Sequence, residues 1–374
     1  MITGISVQDQ LLPILVFAQS GRFIAQSATQ AGYRVWVADC FGDQDTLKIA
    51  DRWQQLVPIH QLSEKKIIDI LSTLSQGENC HLICGGGIEQ YYPLLNNLPA
   101  NITLIGNNAA SIHTVQTPTL FFKLLKQLDL AYPDTLFEQP NDNKWLAKSS
   151  SGLGGIHIQY LKEYQQTDHY YYQRYVAGTS GSGLFIANGE QAQLLSINQQ
   201  YLQPCEPLPF RLGGITSPWL ISEQHQQHLT LAINKITSAI GLYGINSIDF
   251  IISEQNELLV LEINPRISAS AELLNCSEPL FQLHINACNG LLAEERIIET
   301  SLHSRLHYYY AEHDVRISPE IIWPITCHDI PVNGSTVFKG EPICTLTMQA
   351  ATSAKLQQYY YALKKEITVQ LRLN

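Results

Sequence analysis

Residues 245–266, INSIDFIISEQNELLVLEINPR, set two carboxylates into an otherwise apolar pair of segments. SIDFIIS and ELLVLEI are strand-like, and EQNE between them reads as a turn. With Gln255 and Asn256 as the central turn residues, Ile251 faces Val260, Phe250 faces Leu261 and Asp249 faces Glu262. Asn264 lies two residues beyond Glu262 and shares its face. An odd-length loop would spoil this register. Carboxylates directly opposed on a hairpin repel, and burial raises the cost because ionised groups lose hydration. A shared proton, a structural ion pair with Arg266, or a divalent cation would each compensate. Asp249, Glu262 and Asn264 are oxygen donors, which suits Mg²⁺ or Mn²⁺ rather than zinc.

A second segment bears on that choice. KWLAKSSSGLGGIHIQYL, 144–161, reads as strand, glycine-rich loop and strand, with Lys148 ending the first strand. Glycines let backbone amides approach phosphate oxygens, and a lysine supplies a point charge. The pattern is not G-x-x-x-x-G-K-[ST], and flexible hairpin loops look the same. Placed upstream of a cation-binding hairpin, however, it makes a nucleoside triphosphate site coherent.

The chain has 374 residues and 45% apolar content, enough for two or three domains with a large core. LLPILVFA (11–18), GRFIAQSATQAG (21–32) and YRVWVADC (33–40) read as strand, helix and strand; the amphipathic KKIIDILSTL and the strand HLICGGG follow. This alternation predicts a parallel α/β domain over the first 110 or so residues. Its first turn, AQSGRF, has one glycine, so the G-x-G-x-x-G fingerprint is absent. Asp39 at the end of the second strand either holds a ribose or caps the next loop. PTLFFKLLKQLDL (118–130) predicts a helix with Pro118 in its first turn, YYYQRYVAG (170–178) a strand, and 182–202 a hairpin turning at Asn188-Gly189. HLTLAINKITSAIGL (228–242) predicts a helix. The tail from about 320 predicts short strands, then a final helix and strand. Tyrosine triplets at 170–172, 308–310 and 359–361 fit strand packing or aromatic substrate contact.

A net charge of −10 argues against broad nucleic-acid or acidic-membrane binding. No segment approaches the roughly 20 apolar residues of a membrane helix, and MITGISVQDQ does not read as a signal peptide. Cys80 and Cys84 flank His81 without a second ligand pair, so buried free thiols are expected rather than zinc. A cytoplasmic enzyme is the fair expectation.

The order K-(x)3-G-x-G-G, Q-R-Y-V-x-G, I-D-F, L-E-I-N-P-R resembles the ATP-grasp superfamily, and LEINPRISAS is similar to the matching stretch of carbamoyl-phosphate synthetase. The resemblance covers roughly residues 10–275. It implies an α/β and α+β architecture: a pre-ATP-grasp α/β domain (1–112), a lid subdomain (113–180), a core subdomain (181–318), the two clasping ATP, and a small β-rich C-terminal segment (319–374). It implies that Lys148 touches the α- and β-phosphates, and that Ser151, Gly152, Gly154 and Gly155 form the lid loop. Gln173, Arg174, Tyr175 and Val176 match the adenine-holding hinge, with the Arg174 carbonyl and Val176 amide as partners. Asp249, Glu262 and Asn264 match the magnesium ligands, with Glu262 bridging two ions. Arg266 matches the arginine that steadies the acyl or phosphoryl group. There are departures: Thr117-Pro118 stands where an Asp-Lys pair often precedes the helix, with Lys123 a turn or more later. Gln173 replaces a common glutamate, and Ser270 replaces the catalytic glutamate of biotin carboxylase.

The resemblance implies an ATP- and Mg-dependent ligase that activates a small-molecule carboxylate as an acyl phosphate and joins it to an amine. Arg211, Gly213, Ser268 and Ser270 are candidate substrate contacts; Arg211 as an ordinary solvated turn residue and the serines as helix caps are the alternatives. The chain resembles amino-acid ligases, including tyramine–glutamate ligases of methanofuran synthesis, which points to a one-carbon cofactor pathway. A purine-biosynthetic carboxylate ligase, a non-catalytic ATP-binding regulatory protein and a dinucleotide-dependent oxidoreductase are the rivals. The expected partners are small molecules, with neither nucleic acid nor membrane and with a homodimer left open.

Overall fold

Strand β1 (Ile14–Phe17) is apolar at every position because both of its faces are covered. The computed structural model describes residues 12–149, 152–161, 170–276, 278–292 and 302–373. Counts below refer to these residues. β1, β2 (Val35–Asp39), β3 (Arg52–Gln55), β4 (Cys80–Cys84) and β5 (Ile102–Leu104) form a parallel sheet in the order β3-β2-β1-β4-β5. Helices α1 (Arg22–Gln30), α2 (Gln44–Ile49), α3 (Glu64–Ser75) and α4 (Ala109–Gln116) accompany it. Leu15 and Phe17 pack with α3 residues Ile67, Ile70 and Leu71, whereas Ile14 and Val16 share a core with α1. That second core also holds Phe281 and Ile285 of a later helix, so the parallel sheet is fused to the remainder of the molecule.

After α5 (Pro118–Gln127), strands β6 (Thr135–Leu136), β7 (Trp145–Ser149), β8 (Ile158–Tyr160) and β9 (Tyr170–Arg174) form a small antiparallel sheet in the order β6-β9-β7-β8. The large sheet has the order β14-β13-β10-β11-β12-β15-β19-β17. It comprises β10 (Gly178–Asn188), β11 (Ala192–Leu202), β12 (Leu212–Ser217), β13 (Tyr243–Ser253), β14 (Leu258–Asn264), β15 (His303–Tyr310), β17 (Cys327–His328) and β19 (Pro342–Ala350). β16 (Val315–Arg316) pairs with β18 (Thr336–Val337). Helices α6 (Glu223–Ile240), α7 (Leu280–Cys288) and α8 (Ser353–Leu373) complete the chain.

Three expectations are corrected. The strand read over 170–178 ends at Arg174, and Gly178 opens β10. α6 begins at Glu223, five residues early, because the Ser222 hydroxyl accepts from the His225 N–H and caps it. The tail ends in one helix rather than a helix and a strand. Leu356, Leu363 and Ile367 are buried at helical spacing, which overrides the β-branched residues near the end. Asp39 resolves as a loop cap: its oxygens accept from the Gly21 and Gly42 amides and from the Trp53 indole. All eight cysteines are free, and no group of three or more His, Cys, Asp or Glu that could hold a metal occurs among the described residues. No described helix is long and apolar enough to cross a membrane.

Arg22 is the cation that joins distant segments. Its guanidinium meets Glu272 at 2.6 and 2.7 Å and Asp329 at 3.0 and 3.1 Å. Removing one partner of a buried ion pair leaves uncompensated charge. Arg22→Met should therefore cost about 3–5 kcal/mol in urea denaturation; a loss below about 1 kcal/mol would show that this junction does not hold the units together.

Candidate active site

The hairpin β13–β14 reaches the expected pairing by an unexpected route. Its loop is odd: Glu254, Gln255 and Asn256, the last left-handed at φ +63°, lie between Ser253 and Glu257, whose backbones bond at 2.9 Å. Phe250 consequently faces Val260 and Ile251 faces Leu259, which corrects the expected Phe250–Leu261 and Ile251–Val260 pairs. Leu261 is then a bulge, and beyond it the register shifts back, setting Asp249 opposite Glu262 and Ser247 opposite Asn264. The bulge undoes the offset of the odd loop and turns the strand end, as bulges beside functional sites do.

The two carboxylates are in hydrogen-bond contact. Burial and the neighbouring Glu262 push the Asp249 carboxyl well above its ordinary range. Burial also pushes Glu262 up, but Lys148, His157, the Asp249 hydroxyl and Arg266 outweigh it and hold Glu262 below its usual value. Burial thus disfavours charge on both carboxylates at once, and the surrounding cations favour it on Glu262. Gln200 Nε2 donates to Asp249 Oδ1 at 3.2 Å, and Asn264 Nδ2 lies 3.4 Å from Asp249 Oδ2. Two carboxylates and an amide gathered on one strand edge form a hard oxygen donor set. They fit a divalent cation that takes its other ligands from water or phosphate.

Lys148 is buried on β7, and its Nζ donates to Gln173 Oε1 at 3.0 Å. The Gln173 amide nitrogen lies 3.3 Å from the Thr135 hydroxyl, which orients its oxygen toward the lysine. Burial lowers the Lys148 pKa; Glu262 and Asp249 oppose that. Arg266 follows β14. Burial pulls its pKa down, but Glu89 and the two site carboxylates together raise it. Its Nε is paired with the Glu89 carboxylate, and Nη2 donates to Asn264 Oδ1 at 3.2 Å. Glu89 was not foreseen; it sits just past the Gly85-Gly86-Gly87 run and also accepts from the Gly87 amide at 2.6 Å. Its only signal in the sequence is that position, at the carboxyl end of a parallel strand, where α/β folds hold ligands.

A cleft open to solvent is lined by Glu89, Ser149, Gly152, His157, Glu262 and Asn264, with Phe121, Phe122 and Tyr171 among its apolar walls. It brings Glu262 and Asn264 together with the lid and the loop after β4, whereas Asp249, Lys148 and Arg266 are not among its lining residues. Gly154 and Gly155 turn away toward the loop before β12. Leu212 N–H donates to the Gly154 carbonyl at 3.0 Å. Gly155, at φ +76°, lies so close to the Phe210 carbonyl that a Cβ would stand 2.1 Å from it. Ser151 lies outside the described residues. Arg174 and Tyr175 donate backbone N–H groups to the carbonyls of Asp134 and Lys144 at 2.8 and 2.9 Å, which fixes the hinge, and Val176 follows in the link to β10. The structure does not bring Arg211 to the cleft lining, nor leave it solvated: it is buried, stacked 3.8 Å above the Tyr310 ring, and bonded to the Gln203 and Gly340 carbonyls. Gly213 packs beside Gln203 on β12. Ser268 and Ser270 share a 3.0 Å hydroxyl contact, and Ser268 makes no side-chain cap to the short helix that follows.

Comparisons with known proteins bear on the fold that holds these residues. Residues 117–270 match the family model of the ATP-grasp domain. An uncharacterized protein of Methanocaldococcus jannaschii is 22% identical over 373 residues, covering 93% of this chain and 91% of that one. Among solved structures, the N5-carboxyaminoimidazole synthase of Aspergillus clavatus, in complex with ADP and 5-aminoimidazole ribonucleotide, superposes with a TM-score of 0.71 at 13% identity, over 96% of this chain and 99% of that one. The L-amino acid ligase of Bacillus licheniformis superposes with a TM-score of 0.71 at 13% identity, over 95% and 97%. Residues 117–270 thus resemble the ATP-grasp domain, and the fold of the chain is the one these solved structures share.

The buried Asp249–Glu262 pair makes a prediction about the ion-free protein. Asp249→Asn removes a carboxyl that burial and Glu262 disfavour in its charged form. Its thermal midpoint without Mg²⁺ should equal or exceed that of the wild type, and it should lose whatever stabilisation saturating Mg²⁺ with nucleotide gives the wild type. A variant that is still stabilised to the wild-type extent would show that Asp249 does not hold the cation that the sequence leads one to expect.

Proposed function

We propose that this chain uses ATP to activate a small-molecule carboxylate as an acyl phosphate and then joins it to an amine, forming an amide. The observation that carries the reading is that Glu262 and Asn264 line one cleft with His157, while Asp249 is paired with Glu262 and Lys148 and Arg266 lie near enough to act on it. Mg²⁺, which we assign to Asp249, Glu262 and Asn264, would supply charge neutralisation on the polyphosphate. The chain's own residues would bind and position. Lys148, held by the neutral Gln173 rather than by a carboxylate, keeps its charge available to the phosphates. Arg266 would exchange part of its contact with Glu89 for the oxygens of the reacting carboxyl group. Loop 152–155, anchored at Phe210 and Leu212, would cover the cleft and exclude water from the acyl phosphate. No nucleophilic side chain is needed.

We infer an amino acid as the acid and a phenolic amine as acceptor, following the sequence resemblance to tyramine–glutamate ligases and a methanofuran-like product; the fold match to an L-amino acid ligase is compatible with the first half of this. A purine-biosynthetic carboxylate ligase is the second reading, favoured by the near-complete superposition on N5-carboxyaminoimidazole synthase. We further propose that the units divide at residues 112, 180 and 318 as the sequence suggests. The test is ADP release across a panel of amino acids, amines and aminoimidazole ribonucleotide. One acid–amine pair should stimulate release at least about 100-fold, as acceleration by a bound second substrate implies. Glu262→Gln should reduce it by about 100-fold or more, the scale of losing one transition-state charge contact. Binding of ATP with no stimulated release by any pair would favour a regulatory nucleotide binder instead.

A further inference from the structure

His157 lines the cleft beside Glu262, yet neither the hairpin motif nor the glycine pattern assigns it a role. It lies on the descending limb of the lid, just before β8, and its carbonyl accepts from the Ser149 N–H at 3.3 Å. The ring nitrogen Nδ1 is sealed from solvent and finds no hydrogen-bond partner among the described residues. Buried ring nitrogens are normally satisfied, so an orphan at a cleft wall points to a partner supplied by a ligand. Gly152 is fitted to this ring: a Cβ there would stand 2.3 to 2.5 Å from Cγ, Cβ and Nδ1 of His157. The first lid glycine is thus required by the imidazole, whatever phosphate does. Across the cleft, the helical wall offers Gln116, Pro118, Phe121 and Phe122 but no cation, and Lys123 points to solvent. The contact expected from a lysine at the start of α5 therefore has no donor on its own side.

We propose that His157 takes over this contact, donating its Nδ1–H to a terminal phosphate oxygen of the bound nucleoside triphosphate as the lid closes. The neutral imidazole protonated at Nδ1 suffices, because the contact needs a donor and no charge. The inference rests on the nucleotide reading above and names one of its ligand contacts. Calorimetric titration of the full chain with Mg-ATP, Mg-ADP and AMP tests it. His157→Leu should weaken ATP binding about 10-fold, the scale of one hydrogen bond to a charged group, while AMP changes less than about 2-fold. His157→Asn, whose amide nitrogen reaches the position of Nδ1, should stay within about 3-fold of wild type for all three, since the donor is retained. Equal losses for ATP and AMP, unchanged ATP affinity in His157→Leu, or an Asn variant as weak as Leu would overturn the assignment. Failure of the wild-type chain to bind ATP at all would instead overturn the nucleotide reading, and that shows before any variant is compared.

Discussion

The structure is organised around a repulsion. Asp249 and Glu262 face each other across β13 and β14, among core residues Ile248, Phe250, Val260 and Ile263. Lys148 from the lid sheet and Arg266 from the turn that follows β14 offset that repulsion in part. Burial and the facing Glu262 push the Asp249 carboxyl well above its ordinary range. The pairing keeps two hard oxygen donors in register, as the proposed divalent ion would require.

Placing the edge at a cleft takes more than a hairpin. Asn107, buried at the end of the parallel α/β unit, donates to the Pro265 carbonyl at 2.9 Å and to Asn246 at 2.6 Å, and accepts from the Tyr243 amide at 2.8 Å. Those three bonds pin both ends of the β13–β14 arm to the first unit. Arg22 does the same for the turn near Glu272 and for Asp329 of the tail. Glu89 then reaches Arg266 from the first unit, so the guanidinium sits where the units meet. The site belongs to the junction, and so does the buried polar matter that would be wasteful in a lone domain.

Much of this was legible from residue order, for physical reasons. Alternating strand and helix patterns with buried faces define the parallel unit, and Ile14 to Phe17 can only be a doubly covered strand. The Asp249–Glu262 pairing was reached by assuming an even loop. It holds because an odd loop and a bulge cancel, and nothing in EQNE or VLE announces either irregularity. Arg211 misled because a Gly-Gly neighbour suggests an open turn, whereas the Tyr310 ring and the Gly340 carbonyl claim the guanidinium from over 90 residues away. Glu89 and His157 were missed for the same reason: each acquires meaning only from a partner far along the chain, Arg266 for one and Glu262 for the other. The β-branched tail reads as strand locally, but its buried positions are set by what α8 packs against.

The central claim is that the crowded carboxylates hold a divalent ion together with the nucleotide. The most direct measurement is anomalous diffraction from crystals grown with Mn²⁺ and a non-hydrolysable ATP analogue. The account predicts a peak between Asp249 and Glu262, at about the 2.1 Å of a metal–oxygen bond from each, with phosphate oxygens completing the shell. Nucleotide in the cleft with no ion between those side chains, or an ion bound elsewhere, would contradict it.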